Sequence, residues 1–190
     1  MKKRLFIAID ISDESRAAAE RYINKLANRF RHLPAKWERP ERLHLTLKFL
    51  GSTDVEMIER IVGLLRHNAE GTKPFELEIS GTGAFPSAKN PRVLWLGVNE
   101  PSGRMRHLAE LTDQDCAALG FEKENRAFKP HLTIARIRDP RGGADLGREH
   151  QADSFGPIRF TCDELVLYES QSGRSGSTYV KLATAKFKGV

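Results

Sequence analysis

Cysteine is scarce in this 190-residue chain. Cys116 and Cys162 are the only two, they form no CxxC pair, and no disulfide framework is written here. Long apolar runs are missing as well: nothing approaches the roughly 18 consecutive apolar residues of a membrane span. The start, MKKRLFIAIDISDES, is basic as a leader would be. Its apolar stretch runs only from Leu5 to Ile9 before Asp10 interrupts it, short of the roughly 7–15 residues of a secretory segment. These absences point to a reduced, cytoplasmic protein with no membrane contact. Also absent are a GxSxG elbow, a P-loop lysine motif, a GxGxxG turn and any HxH or HExxH spacing. Serine nucleophiles, triphosphate or dinucleotide cradles and zinc hydrolysis therefore lack their usual signatures.

What is present is ordinary for a globular protein: 39% hydrophobic and 29% charged residues, which excludes a wholly disordered chain. Lys and Arg number 31 against 25 Asp and Glu, a formal charge of +6. That balance mildly favours a polyanionic partner such as nucleic acid, although many proteins carry as much charge without one.

RLFIAI (Arg4–Ile9) reads as a short strand covered on both faces. From Ser12, a suitable N-cap, to about Phe30 the spacing turns helical, with Ala18, Tyr22, Leu26 and Phe30 four residues apart. HLPAKWERPER reads as a loop. A strand through LHLTLKFL follows and closes at Ser52-Thr53. Thr53 and Glu56 are expected to form a capping box for a helix whose stripe is Ile58, Ile61, Val62 and Leu65. FELEISGTGAF alternates and then meets two glycines, so a strand should end there in a bulge or turn. RVLWLGV (Arg92–Val98) is another strand. Pro101-Ser102 starts a helix through Met105, Leu108, Leu111, Cys116 and Leu119, and Gly120 stops it. After FKPHLTIARI, residues Arg138–Phe155 read as a flexible loop with room for one short helix. PIRFTCDELVLYES and STYVKLATAKF then read as two strands of a long hairpin turned at QSGRSG.

The two halves share an order: apolar strand, helix, loop, His-Leu-Thr strand. Phe6 and His44 are 38 positions apart, Leu94 and His131 are 37 apart, and the two histidines are separated by 87. This register implies an internal duplication. The expected class is α+β, a single bilobal domain over 1–190 with repeats of about 1–88 and 89–190. Two largely antiparallel sheets would face a central cleft, with helices on their outer faces and the final strands free to cross between lobes.

Period-two geometry puts Leu43, Leu45, Leu47 and Phe49 in a core and His44, Thr46 and Lys48 on the opposite face. Leu132 and Ile134 form the core set of the second strand, and His131 and Thr133 share its other face. A lone strand histidine is usually a packing or surface residue, and His32, His67, His107 and His150 count as ordinary. Two identical tripeptides at matched register shift the balance toward function for His44 and His131. Imidazole titrates near neutrality, so two copies can serve as base and acid in one turnover. The hydroxyls of Thr46 and Thr133 can donate to oxygens of a developing anion. The set suits in-line displacement at phosphorus without a metal or other cofactor.

These residues resemble the two-histidine phosphoesterases defined by paired HxTx motifs. Within them the chain is most similar to the bacterial and archaeal RNA 2′,3′-cyclic phosphodiesterases, also called 2′-5′ RNA ligases. The likeness runs in order through RLFIAIDI, HLTLKFLG, GAFPSAKNPRVLWLGV, FKPHLTIAR and LYESQSGRSGSTY. It implies a bilobal fold with the active site between the lobes and hydrolysis of a terminal RNA 2′,3′-cyclic phosphate to a 2′-phosphomonoester. His44 would be the general acid, His131 the general base, and Thr46 and Thr133 would hold phosphate oxygens. The residues alone leave the acid and base order open, because the layout is nearly symmetric.

Arg136 belongs to the matching segment and suits a phosphate or a flanking nucleotide. Strict alternation puts it opposite His131, so a bulge or strand end would have to turn it into the cleft; a solvent-facing arginine accounts for it equally well. Phe128 is of a type that stacks bases, with core packing the leading alternative. Lys48 could steer a phosphate, and Trp37 is open. The expected partner is an RNA end bearing a cyclic phosphate, tRNA fragments or nucleotides included, and the expected state is a monomer. Two alternatives stand beside hydrolysis: joining of tRNA halves through a 2′-5′ linkage at the same site, and a non-catalytic RNA-binding module.

Overall fold

The apolar N-terminal run forms β1 (Lys2–Asp10), in which Leu5 to Ile9 are all buried. In this computed structural model, which describes residues 1–139, 142–173 and 176–189, β1 lies inside a sheet. It pairs with β3 (His44–Asp54) on one side and β8 (Glu164–Gly173) on the other, and β9 (Gly176–Lys186) follows β8. The result is a four-stranded antiparallel sheet of order β3-β1-β8-β9. A second antiparallel sheet has five strands, in spatial order β2 (Ala35–Trp37), β6 (His131–Ile137), β5 (Asn90–Asn99), β4 (Phe75–Ser87) and β7 (Ile158–Cys162). Each sheet draws strands from both sides of position 88. The α+β class expected from the sequence is the class found.

Among the described residues, four α-helices cover the sheets. α1 (Asp13–Arg29) packs against β7, and α4 (Ala144–Ala152) against β4 and β5. α2 (Ile58–Glu70) lies on β8 and β9, and α3 (Arg104–Ala118) lies against α2 and β3. α1 starts where the sequence places it: Ser12 Oγ accepts from Ser15 N at 3.1 Å, and Asp13 and Glu14 occupy the positive end of the helix dipole. One apolar core runs through both sheets and the helices. A smaller cluster of Phe6, Ala8, Val166 and Tyr168 fills the other face of the first sheet. β1 is thus covered on both faces, as its unbroken apolar run requires. Cys116 and Cys162 are free and buried, and burial pushes both thiols up to about 12. No helix among the described residues is long and apolar enough to cross a membrane.

Several local expectations are corrected. Thr53 does not cap α2: it sits inside β3 opposite Lys3, its hydroxyl turned to the carbonyls of Leu50 and Gly51, and a 3₁₀ turn over Val55–Met57 leads into the helix. The Pro-containing loop holds the edge strand β2, because Ala35 to Trp37 pair with Ala135 to Ile137 of β6 and Glu38 N–H donates to the Ile134 carbonyl. β4 does not end at its glycines. It bulges between Ile79 and Thr82, with Gly81 at a φ of 75°, and continues to Ser87. PIRFTCDELVLYES is two strands, since β7 and β8 belong to different sheets and Asp163 bridges them. The segment after β6 contains one short helix, α4; residues 140 and 141, like 174 and 175 of QSGRSG, lie outside the described residues.

The pattern of β3 also departs from strict alternation. Ile7 faces Lys48 and Ala8 faces Thr46, so Leu47 is an extra residue in the strand. A bulge of this kind inverts the parity of the residues that follow, here Lys48 to Leu50, until a second shift at Leu50 restores it. Lys48 therefore turns inward beside Leu47, and Phe49 turns out onto the His44 face, the reverse of the expectation for both. Lys48 is only 6% exposed; its Nζ meets Asp113 Oδ1 at 2.5 Å and the Glu122 carbonyl at 2.5 Å. The same Asp113 oxygen accepts from Glu124 N at 3.0 Å. The pair ties β3 to α3 and to the segment that leads to His131. Lys48→Ala should destabilise the fold by about 3 kcal/mol, since it strands a buried carboxylate. Lys48→Met with Asp113→Leu should recover much of that loss, and urea midpoints for the two variants check it.

Candidate active site

His44 opens β3, and the turn before it is held from α1. Arg16 NH1 donates to Pro40 O at 2.5 Å and Leu43 O at 3.3 Å, and NH2 donates to Ile11 O at 3.4 Å. His44 Nδ1 lies 2.6 Å from the Arg42 carbonyl, which can only accept, so the ring proton belongs on Nδ1. Nε2 then faces Thr46 Oγ1 at 3.0 Å and, in the neutral ring, accepts from that hydroxyl. The imidazole is packed in an aromatic nest: the Phe6 ring centroid is 4.7 Å away and Tyr179 meets it edge-on at 5.2 Å. Asp10, the cross-strand partner of His44, accepts from Tyr168 OH and pairs with Lys181 Nζ at 2.5 Å. Burial holds the His44 pKa below the ordinary histidine value. The Arg42 carbonyl and the Asp10 charge oppose that shift, and Arg16 and Arg136 reinforce it.

His131 repeats the device. Its Nδ1 sits 2.7 Å from the Lys129 carbonyl, two residues back as in His44, so in the neutral ring Nε2 is again the nitrogen without the proton. Its wall is also aromatic, with Phe85 edge-on at 5.2 Å and Trp95 at 6.4 Å. Thr133 pairs with Trp95 across β5 and β6 and lies on the same face of the strand as His131. The Trp95 ring lies flat on Gly83, where a Cβ would come within 2.1 Å of it. Only glycine leaves that space.

Arg136 does reach the His131 face. Leu94 pairs with Ala135 and Trp95 with Thr133, so Ile134 is an extra residue in β6, as Leu47 is in β3. Ile134 and Ala135 both turn inward, and Arg136 emerges exposed, 3.8 Å from the Glu38 carboxylate. Its charge is felt at His44 and at Tyr179. β3 and β6, the two motif strands, touch directly. The other sequence candidates lie elsewhere: Lys48 is buried under β3, and Phe128 and Trp37 are half-buried against the main core. Among the described residues no cluster of three or more His, Cys, Asp or Glu is placed to hold a metal.

Sequence reasoning missed the aromatic walls and one histidine. His32, His67 and His107 are exposed, but His150 is fully buried. Its Nε2 donates to the carbonyls of Gly83 and Trp95, each at 3.1 Å, and its Nδ1 accepts from Tyr22 OH at 2.9 Å. Burial lowers its pKa, against the pull of the two carbonyls, and it braces β4 and β5 behind Trp95. The alternation of Phe6, Ala8 and Asp10 along β1 is the one signal that could have revealed the wall around His44.

The family model described as the 2′-5′ RNA ligase superfamily matches residues 14–174. A protein of Methanothermobacter thermautotrophicus named RNA 2′,3′-cyclic phosphodiesterase is 34% identical over 185 residues, covering 96% of this chain and 97% of that one. A Thermotoga maritima protein of the same name is 34% identical over 187 residues, with 98% and 96% covered. Among solved structures, a Thermus thermophilus protein aligns with a TM-score of 0.83 at 26% identity over 98% of both chains. The E. coli LigT complex with 3′-AMP aligns with a TM-score of 0.77 at 26% identity, covering 98% of this chain and 99% of that one.

The charges around His44 give a signed prediction. Asp10→Asn removes an anion that favours the imidazolium, so the His44 midpoint should fall further. Arg136→Gln removes a cation that opposes it, so the midpoint should rise. NMR titration of the ring carbons reads both, and movement in the opposite directions would refute the arrangement.

Proposed function

The chain belongs to the 2′-5′ RNA ligase superfamily, and on that premise we propose that it opens the 2′,3′-cyclic phosphate at an RNA end to a 2′-phosphomonoester. The observation that carries the proposal is the matched pair of imidazoles, each pinned through Nδ1 to a carbonyl and each with a threonine hydroxyl two residues on. His131 Nε2 takes a proton from water, and the resulting hydroxide oxygen attacks phosphorus. The bond from phosphorus to the 3′-oxygen breaks in line, and His44 delivers its Nε2 proton to that oxygen. The product carries a 2′-phosphate and a 3′-hydroxyl. Thr46, Thr133 and Arg136 take the non-bridging oxygens as charge builds on them.

Two features support this division of labour. Asp10 stands beside His44, and a bound phosphate adds a second negative charge, so substrate binding loads the proton onto His44. A buried imidazolium holds that proton weakly, which makes it a better acid toward an alkoxide. His131 is more open to solvent, where water is available. The substrate proposed is an RNA end, tRNA fragments included, handled in the cytoplasm by a monomer.

Joining through a 2′-5′ linkage is the reverse reaction at the same atoms, and the family description favours keeping it as a second reading. Hydrolysis is preferred, because water at about 55 M outcompetes dilute RNA ends unless the site is dry. An oligonucleotide ending in a 2′,3′-cyclic phosphate, incubated with chelator and a second RNA bearing a 5′-hydroxyl, reads both. The wild type should yield the 2′-phosphate with little joined product. His44→Ala and His131→Ala should each lose roughly 100-fold or more. Undiminished turnover in either variant would sink the mechanism.

A further inference from the structure

Arg42 is only 8% exposed, and among the described residues no acceptor meets its guanidinium. Its backbone is fully used: its N–H donates to Arg39 O at 2.9 Å, and its carbonyl accepts from His44 Nδ1. Lys48 and Asp113, charged side chains buried to a similar degree, have each other. A buried charge without a counterion costs stability. The Arg42 guanidinium is therefore set for an anion that the folded chain does not supply.

A second cation converges on the same place. Gly176 opens β9 with a φ of 106°, and a Cβ on it would stand 3.2 Å from Arg42 NH1 and 3.5 Å from Lys36 Nζ. The glycine leaves open a gap that both groups border. Lys36 is exposed and lies directly opposite Arg136 where β2 pairs with β6. Directly opposed residues share a face, and like charges in that position repel. Lys36 thus stands on the face that carries Arg136 and His131. The Glu38 carboxylate, two residues on, goes to Arg136 at 3.8 Å. Arg42 and Arg136 both act on Tyr179, whose ring meets His44 edge-on at 5.2 Å. Cations therefore continue outward from the reacting centre, from Arg136 to Lys36 and Arg42.

Building on the proposed reaction, we propose that Arg42 and Lys36 form a second anion subsite, which holds the internucleotide phosphate preceding the nucleotide that bears the cyclic phosphate. A diester phosphate offers two non-bridging oxygens, so it can accept from the guanidinium fork and the ammonium at once. The subsite takes no part in proton transfer. It makes the enzyme one for oligonucleotide ends in preference to free nucleoside cyclic phosphates, and it is blind to base identity, because a phosphate carries none.

The test uses adenosine 2′,3′-cyclic phosphate, an adenosine dinucleotide ending in the same cyclic phosphate, and that dinucleotide with an uncharged methylphosphonate linkage. The wild type should favour the charged dinucleotide over the uncharged one by about tenfold in kcat/KM, mainly through KM. Lys36→Gln and Arg42→Gln should each remove most of that preference. Lys36 is exposed, so its variant reads the subsite independently of any disturbance that Arg42→Gln causes in the turn before His44. Equal rates on the two linkages in the wild type overturn the proposal, as does an undiminished preference in Lys36→Gln. An equal loss on all three substrates in Lys36→Gln also overturns it, since that would place the lysine at the reacting phosphate. If the wild type opens none of the three, the hydrolytic function falls on its own. Calorimetry with the two dinucleotides carrying a 2′-phosphate then decides about the subsite. Tighter binding of the charged linkage that is lost in Lys36→Gln supports it, and equal binding of both linkages overturns it.

Discussion

A β-strand alternates its side chains between two faces, and a strand of unbroken parity can serve only one assignment of faces along its length. β3 must bury Leu43, Leu45 and Leu47 and keep His44 and Thr46 free, yet a few residues later it buries Lys48 and shows Phe49. The extra residue at Leu47 makes both assignments compatible. β6 solves the same problem at Ile134, where the shift turns Arg136 toward the histidine face. The positions of Lys48, Phe49 and Arg136 all follow from these two local departures from a ladder.

Within that frame, the two imidazoles are oriented alike and surrounded differently. Each is pinned through Nδ1 to a carbonyl two residues earlier, so each offers Nε2 to the site. His44 is enclosed by Phe6, Tyr168 and Tyr179 and has Asp10 as its cross-strand partner. His131 stands against Phe85 and Trp95 and is more open. A duplicated motif with equal geometry and unequal surroundings is what acid–base division of labour needs, because environment sets which ring holds a proton and how tightly. The supports lie outside the motifs. Lys48 with Asp113 fastens the first strand to the approach of the second, and His150 with Tyr22 stiffens the sheet behind Trp95.

Much of this was legible in the chain. The apolar runs marked β1 and β5, the N-cap and four-residue spacing marked α1, and the paired His-Leu-Thr tripeptides marked the residues that the folded chain presents on the site faces. These signals are local: period and capping act within one element. What failed was also systematic. The capping box at Thr53 lost to strand pairing with Lys3, since a ladder hydrogen bond and burial outweigh a side-chain cap. PIRFTCDELVLYES looked continuous because both of its strands are apolar, and nothing in their residues says that they enter different sheets.

The sequence by itself determined the α+β class, most of the elements, the two imidazoles and their threonines, because these depend on residue type and short spacing. Only the tertiary structure decided the fate of Lys48, Phe49, Arg136 and His150. A bulge is visible only against the partner strand that counts one residue fewer. A buried histidine or lysine is explained only by partners that lie 65 and 128 positions away along the chain. "LHLTLKF" and "HLTIAR" carry the two imidazoles and their threonines, and their neighbours in space decide which way the last residues of each point.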